Sequence, residues 1–187
     1  MKKRIRKELI KKRKNISKEE IYRKSSLIKN NLFDLDEFTK ASNILFYVSY
    51  DNEVFTHEMI KESIHNGKNI FVPKSVEKDR SLIISKLDEW DDLEKGLYGI
   101  LEPVKIKEVS ISEIEIVIVP AVGFDKKGNR VGHGKGYYDN LIKFSKDILF
   151  IGLAFEFQIV DNIPVNRYDF PVDMIITESR IINCLNS

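Results

Sequence analysis

From Gly128 to Asp139 the chain reads Gly-Asn-Arg-Val-Gly-His-Gly-Lys-Gly-Tyr-Tyr-Asp, with four glycines in nine residues. Glycine permits positive φ and lets a backbone approach a ligand closely. The run leads into a segment read as a helix, about 136–146, and the opening turn of a helix offers unpaired N–H groups that suit phosphate. Arg130 and Lys135 add positive charge, and Asp139 can hold a metal that bridges phosphates. Neither common nucleotide fingerprint is present. Gly136 stands where a Walker A loop needs Ser or Thr, and Tyr137 occupies the last glycine of the dinucleotide pattern. Phosphate binding is the expectation, and a flexible loop with a basic edge is the competing reading.

Other side chains can join that loop. Asp173 begins a predicted strand after Pro171, where an acid needs either an edge position or a ligand. Asp139 and Asp173, with phosphate oxygens and water, would suit Mg²⁺, while a helix-capping role competes for Asp139. Glu53 ends the polar run Ser49-Tyr-Asp-Asn-Glu53 after another predicted strand. There it can accept from a substrate N–H or sit in a solvated turn. Tyr98 can stack on a planar ring or simply pack. Tyr137 and Tyr138 are adjacent at a helix start, so they point in different directions. His57, His65 and His133 lack metal-ligand spacing and are expected at the surface, His133 with the better claim to a ligand.

These side chains need a scaffold. The 187 residues, 42% hydrophobic and 32% charged, fit one domain spanning 1–187. The single cysteine, Cys184, excludes an internal disulfide and a multi-cysteine zinc site and is read as an inert thiol. No stretch approaches the ~18 apolar residues of a membrane span, and no secretory signal is legible, so the cytoplasm is the expected compartment. The net charge of +2 hides an asymmetry: residues 1–14 hold nine Lys or Arg and one acid. That basic segment reads as a solvated helix face or as a site for a phosphorylated ligand or nucleic acid.

Apolar spacing predicts helices over about 2–14 and 18–33, the second opened by a Ser17/Glu20 capping box. Asn43–Ser49, Asn69–Pro73, Leu82–Leu87, Ile114–Pro120, Ile148–Ala154 and Val172–Thr177 read as strands, with a helix capped by Thr56 and ended by Gly67. Uninterrupted β-branched runs alternating with helices predict an α/β fold: a three-layer, mostly parallel open sheet with helices on both faces and a basic N-terminal helix. Such sheets bind ligands at the carboxyl ends of their strands. The stretch 86–109 has weak periodicity and is expected to include a loop over the site.

The block Pro120-Ala-Val-Gly-Phe-Asp125 followed by Gly128 through Asp139 resembles the 5-formyltetrahydrofolate cyclo-ligase family, also called methenyltetrahydrofolate synthetase. Lys2–Arg6, Glu53, Val72-Pro73, Tyr98–Pro103 and Pro171-Val-Asp173 agree in order, so the likeness runs nearly end to end. The resemblance implies an α/β enzyme that uses ATP and Mg²⁺. ATP phosphorylates the formyl oxygen of 5-formyltetrahydrofolate, the neighbouring folate nitrogen attacks the activated carbon, and 5,10-methenyltetrahydrofolate, ADP and phosphate result. It also implies Lys2, Lys3, Arg4, Ile5 and Arg6 as one part of the ATP site, with Lys2 and Arg6 as the charged contacts. Arg130, Val131, Gly132, His133, Gly134, Lys135, Gly136, Tyr137 and Tyr138 would form the phosphate loop, with Arg130, Lys135 and Tyr138 catalytic. Asp139 and Asp173 would hold Mg²⁺, and Val48, Glu53 and Tyr98 would contact folate. Where many members carry a basic residue after the loop Asp, this chain has Asn140. The expected partners are the two small-molecule substrates, with neither nucleic acid nor membrane, and a monomer is the expected state.

Overall fold

The structure is a computed structural model that describes residues 1–76, 78, 81–96, 99–134, 136–143 and 147–184. Its helices are α1 (Lys2–Lys14), α2 (Lys18–Phe33), α3 (Asp36–Lys40), α4 (His57–His65) and α5 (Tyr137–Lys143). The strands are β1 (Asn43–Leu45), β2 (Asn69–Val76), β3 (Ser81–Leu87), β4 (Leu93–Lys95), β5 (Leu101–Pro103), β6 (Ile116–Val119), β7 (Gly123–Asp125), β8 (Arg130–Val131), β9 (Leu149–Leu153), β10 (Ile159–Val160), β11 (Met174–Ile176) and β12 (Ile181–Asn183).

Seven strands form the main sheet in the order β12-β11-β9-β6-β1-β2-β3. The five inner strands run parallel, while β3 and β12 close the edges antiparallel. The apolar runs divide by alternate residues, as a pleated strand requires. Ile44, Ile70, Ile116, Ile118 and Ile151 join the core under α2, α3 and α4, while Leu45, Phe71, Val117, Val119 and Phe150 join the core that α5 covers. Both faces are therefore buried, which is why the strands carry no polar alternation. Helices on both faces of a mostly parallel sheet make the α/β architecture expected from the pattern.

One expected boundary moves for a physical reason. The run read as a strand over Asn43–Ser49 leaves the ladder after Leu45, although Phe46, Tyr47 and Val48 stay buried. Thr56 takes over the backbone there. Its hydroxyl donates to the Tyr47 carbonyl at 2.8 Å and accepts from the Ser49 N–H at 3.0 Å, so it makes no side-chain cap for α4. Ser17, by contrast, caps α2 through the Glu20 N–H. His57, expected at the surface, is half buried with Nε2 at 2.8 Å from the Ser49 carbonyl.

The segment before the glycine-rich loop was not legible as strands. β7 and β8 form a hairpin to which β10 adds in parallel, and Ile5 and Leu9 of α1 pack against Val122 and Val131. Gly128 sits in that hairpin turn at φ 82°, where a Cβ would lie 2.2 Å from the Val172 carbonyl oxygen. It shapes the turn and does not belong to the ligand loop. In the stretch 86–109, expected to include a loop over the site, β4 and β5 pair as a short antiparallel ribbon.

Candidate active site

β1 stands between β2 and β6, so the chain leaves it for one neighbour and later returns on its other side. The carboxyl ends of β1 and β6 therefore splay where the strand order reverses, the place where open α/β sheets collect ligands. A cavity of about 1020 Å³ opens there. Tyr47, Val48, Tyr50 and Glu53 line it from beyond β1, and Pro120 from the end of β6. Pro73, Lys74, Ser75 and Leu82 come from β2 and β3, and Ile100, Leu101 and Glu102 from the β4–β5 ribbon.

Part of the cavity wall is cationic. Lys2 and Arg6 lie four residues apart, one helical turn of α1, and both face the cavity. The Arg6 Nε donates to the Gly132 carbonyl at 2.7 Å, and the Lys2 Nζ lies 2.6 Å from an Asp169 carboxylate oxygen. Gly134 has φ 97°, and a Cβ there would approach the Arg6 guanidinium at 3.5 Å. The loop that opens α5 is thus pressed against the basic helix. Arg130 is buried, with its guanidinium committed to the Asp139 carboxylate at 2.5 Å and the Phe170 carbonyl at 2.5 Å. Burial lowers the Arg130 pKa, with Asp139 and Asp169 opposing that shift.

The same cavity holds a carboxylate beside that loop. Glu53 is 8% exposed, accepts from the Tyr50 N–H at 3.3 Å, and lies 3.6 Å from the His133 Nε2. Burial, and then the Glu53 charge, push the Tyr138 hydroxyl well above the ordinary tyrosine range, and Tyr47 moves the same way for the same two causes. Both phenols are therefore neutral hydrogen-bonding groups at any physiological pH.

The 5-formyltetrahydrofolate cyclo-ligase family model matches residues 1–178. The chain belongs to this family. It is 31% identical to the 5-formyltetrahydrofolate cyclo-ligase of Haemophilus influenzae, over 90% of this chain and 92% of that one. It is 30% identical to the mouse 5-formyltetrahydrofolate cyclo-ligase, over 93% and 92% respectively. Among solved structures, the 5,10-methenyltetrahydrofolate synthetase of Aquifex aeolicus superposes with TM-score 0.87 at 33% identity, covering 98% of this chain and 92% of that one. The Mycoplasma pneumoniae synthetase superposes with TM-score 0.77 at 26% identity, over 95% and 98%.

In this family member the cavity gathers Lys2, Arg6, Val48, Glu53, Arg130, Val131, Gly132, His133, Gly134, Gly136, Tyr137, Tyr138 and Asp139 from the expected residues. Lys135 and Tyr98 lie outside the described residues. Lys3, Arg4 and Ile5 do not line the cavity: Lys3 is exposed, Arg4 reaches back to Glu8 at 3.6 Å, and Ile5 packs in the core beneath α1. A helix presents only one side to a site, and here that side carries the residues one turn apart.

Asp173, expected to hold Mg²⁺, lies outside the cavity lining, and its carboxylate accepts from the Phe150 N–H at 2.8 Å, which docks the start of β11 on β9. The second carboxylate beside Asp139 on the cavity wall is Asp169. Asp139 accepts weakly from the N–H of Phe170, the residue next to it, at 3.5 Å. Sequence reasoning passed over Asp169 because it sits in a polar connection without periodicity. The signal was its position in the long link that follows β9 at the carboxyl side of the sheet, a link that also contains Asp161.

Proposed function

We propose that this cavity carries out the ATP-dependent cyclisation of 5-formyltetrahydrofolate to 5,10-methenyltetrahydrofolate, with release of ADP and phosphate. Conversion of this kind is the activity of the family to which the chain belongs. The observation that supports the reading is a single cavity lined by a cationic, glycine-rich wall and by a buried carboxylate. The first suits a triphosphate and the second the N–H edge of a pterin.

An amide-like formyl oxygen is a poor leaving group. Its attack on the γ-phosphorus expels ADP and leaves that oxygen phosphorylated on a now electrophilic carbon. The neighbouring folate nitrogen then attacks that carbon and loses its proton, and phosphate leaves with the former formyl oxygen. The protein supplies no nucleophile, so its work is positioning and charge stabilisation. Lys2, Arg6 and Lys135 neutralise phosphate oxygens, and the backbone at Gly132, Gly134 and Gly136 lets them approach closely. Arg130 acts by holding Asp139 in place. Tyr138 lines the cavity as a neutral hydrogen-bonding group. Glu53 and Val48 seat the pterin, and Tyr98 is assigned to stack on it.

Mg²⁺ is the proposed companion of ATP. Among the described residues no cluster of three or more acidic, His or Cys side chains exists to cage a metal. Asp139 and Asp169 on the cavity wall fit an ion that takes one or two carboxylates and fills its shell with phosphate oxygens and water. Bound there, Mg²⁺ would withdraw charge from the transferring phosphate.

Among the described residues no helix is long and apolar enough to cross a membrane. We propose one catalytic domain over residues 1–187, acting as a cytoplasmic monomer. The deciding experiment follows absorbance of the methenyl product after mixing protein, Mg²⁺-ATP and 5-formyltetrahydrofolate. Product that depends on nucleotide is expected. No product, or the same rate without ATP, overturns the reading.

A further inference from the structure

His133 stands between Gly132 and Gly134 in the loop assigned to phosphate, yet its imidazole reaches the carboxylate assigned to the pterin. Its Nε2 lies 3.6 Å from Glu53 Oε1, while Glu53 Oε2 accepts from the Tyr50 N–H at 3.3 Å. The His133 and Tyr50 rings stand with centroids 6.3 Å apart, and His133, Tyr50 and Glu53 all line the main cavity. The His133 side chain is 43% exposed and that of Glu53 is 7% exposed, so the imidazole has room to shift and the carboxylate has little.

The backbone around His133 can respond to what the loop binds. The Gly132 carbonyl accepts from Arg6 Nε at 2.7 Å, and Gly134 takes φ 97°. Glycines on both sides leave His133 with few backbone restraints of its own. Phosphate oxygens seated on Arg6 and these glycines would fix that backbone. At 3.6 Å the imidazole is just beyond hydrogen-bond length, and a shift of about half an ångström closes the gap. With hydrogen on Nε2, His133 then donates to one Glu53 oxygen as the Tyr50 N–H does to the other. A carboxylate has about four acceptor sites, so both oxygens keep one for the pterin. A carboxylate already held in place costs less ordering when its ligand arrives.

We propose that His133 is a positioning residue that couples the two substrates: nucleotide phosphates on the glycine loop set its imidazole against Glu53, and Glu53 so held binds the pterin N–H edge more tightly. The inference rests on the folate reading of the main cavity. Linkage makes the effect mutual, so folate must tighten nucleotide binding by the same factor.

Calorimetric titration with 5-formyltetrahydrofolate, with and without a saturating non-hydrolysable ATP analogue, measures the coupling, and the reverse titration checks it. In the wild type each ligand is expected to lower the Kd of the other about fivefold to twentyfold. In His133→Ala that factor should fall below about twofold, whatever happens to the two separate affinities. A merely structural role would shift the affinities and leave the coupling factor alone. His133→Gln keeps a side-chain donor and should retain more of the coupling than His133→Ala does. No coupling in the wild type, wild-type coupling in His133→Ala, or a Gln variant that behaves like the Ala variant overturns the proposal. Failure of the wild type to bind 5-formyltetrahydrofolate at all would instead overturn the folate reading itself.

Discussion

The Nε of Arg6 and the carbonyl of Gly132 are joined by a hydrogen bond of 2.7 Å across 126 positions of sequence. The bond ties the first helix to the loop that opens α5 and leaves the rest of the guanidinium beside Gly134 at the mouth of the loop. Arg6→Ala therefore removes a loop anchor together with the proposed phosphate contact. Loss of one charge-assisted contact costs about 1.5–3 kcal/mol. Nucleotide affinity should fall accordingly for Arg6→Ala and Lys2→Ala, with folate affinity much less affected. Lys3→Ala should change neither, because its side chain is exposed and outside the cavity lining. Calorimetric titration with a non-hydrolysable ATP analogue checks all three.

Gly134→Val should abolish activity while the protein stays folded. A β-branched residue at φ 97° is strained, and its side chain would take space beside the Arg6 guanidinium that a close phosphate needs. A folded variant, by circular dichroism, that kept wild-type ATP affinity would remove this loop from the phosphate site.

Glu53→Gln should impair folate binding and spare ATP. The carboxylate is buried, and a Gln amide would turn a donor toward the pterin N–H edge. The expected loss is about 2–3 kcal/mol, or roughly 30- to 150-fold in folate affinity. A solvated turn residue would change affinity by only about 0.5 kcal/mol. Titration with 5-formyltetrahydrofolate distinguishes the two.

Asp139→Asn and Asp169→Asn should weaken the dependence of rate on Mg²⁺ concentration, and Asp173→Asn should not. Asn keeps an acceptor for the Phe150 N–H. Burial raises the Asp173 pKa, so its charge opposes folding at neutral pH and removing it carries little penalty. Mg²⁺ titrations of the three variants, with thermal melts alongside, test the assignment. Full turnover of the wild type in EDTA would remove the metal altogether.

His57 predicts an acid-side loss of stability. Its folded pKa lies below the ordinary histidine value of 6.5, first because of burial. As pH falls through 6.5 the unfolded chain takes up a proton that the native ring resists, so stability drops until the folded pKa is passed. His57→Gln should flatten that segment of the stability curve, measured by urea unfolding at stepped pH values.

Much of this organisation is local, and the sequence by itself determined it. The bounds of α1 and α2, the Ser17 cap and the parallel apolar strands follow from periodicity and capping chemistry, which act within a few residues. The glycine-rich run announced a ligand loop, and its place after an apolar strand put it at the carboxyl edge of a parallel sheet. Tertiary structure decided what local signals cannot carry. Val48 left the ladder because Thr56, eight residues on, captured the neighbouring backbone groups. Gly128 and Gly134 look alike in sequence, yet one meets the Val172 carbonyl and the other the Arg6 guanidinium. Asp169 and Asp173 are both acids beside Pro171, but only the first faces the cavity, because pairing of β11 with β9 draws Asp173 onto the Phe150 N–H. Which side of a helix or strand meets a ligand depends on packing against elements more than a hundred residues away, and no spacing rule within one segment contains that information.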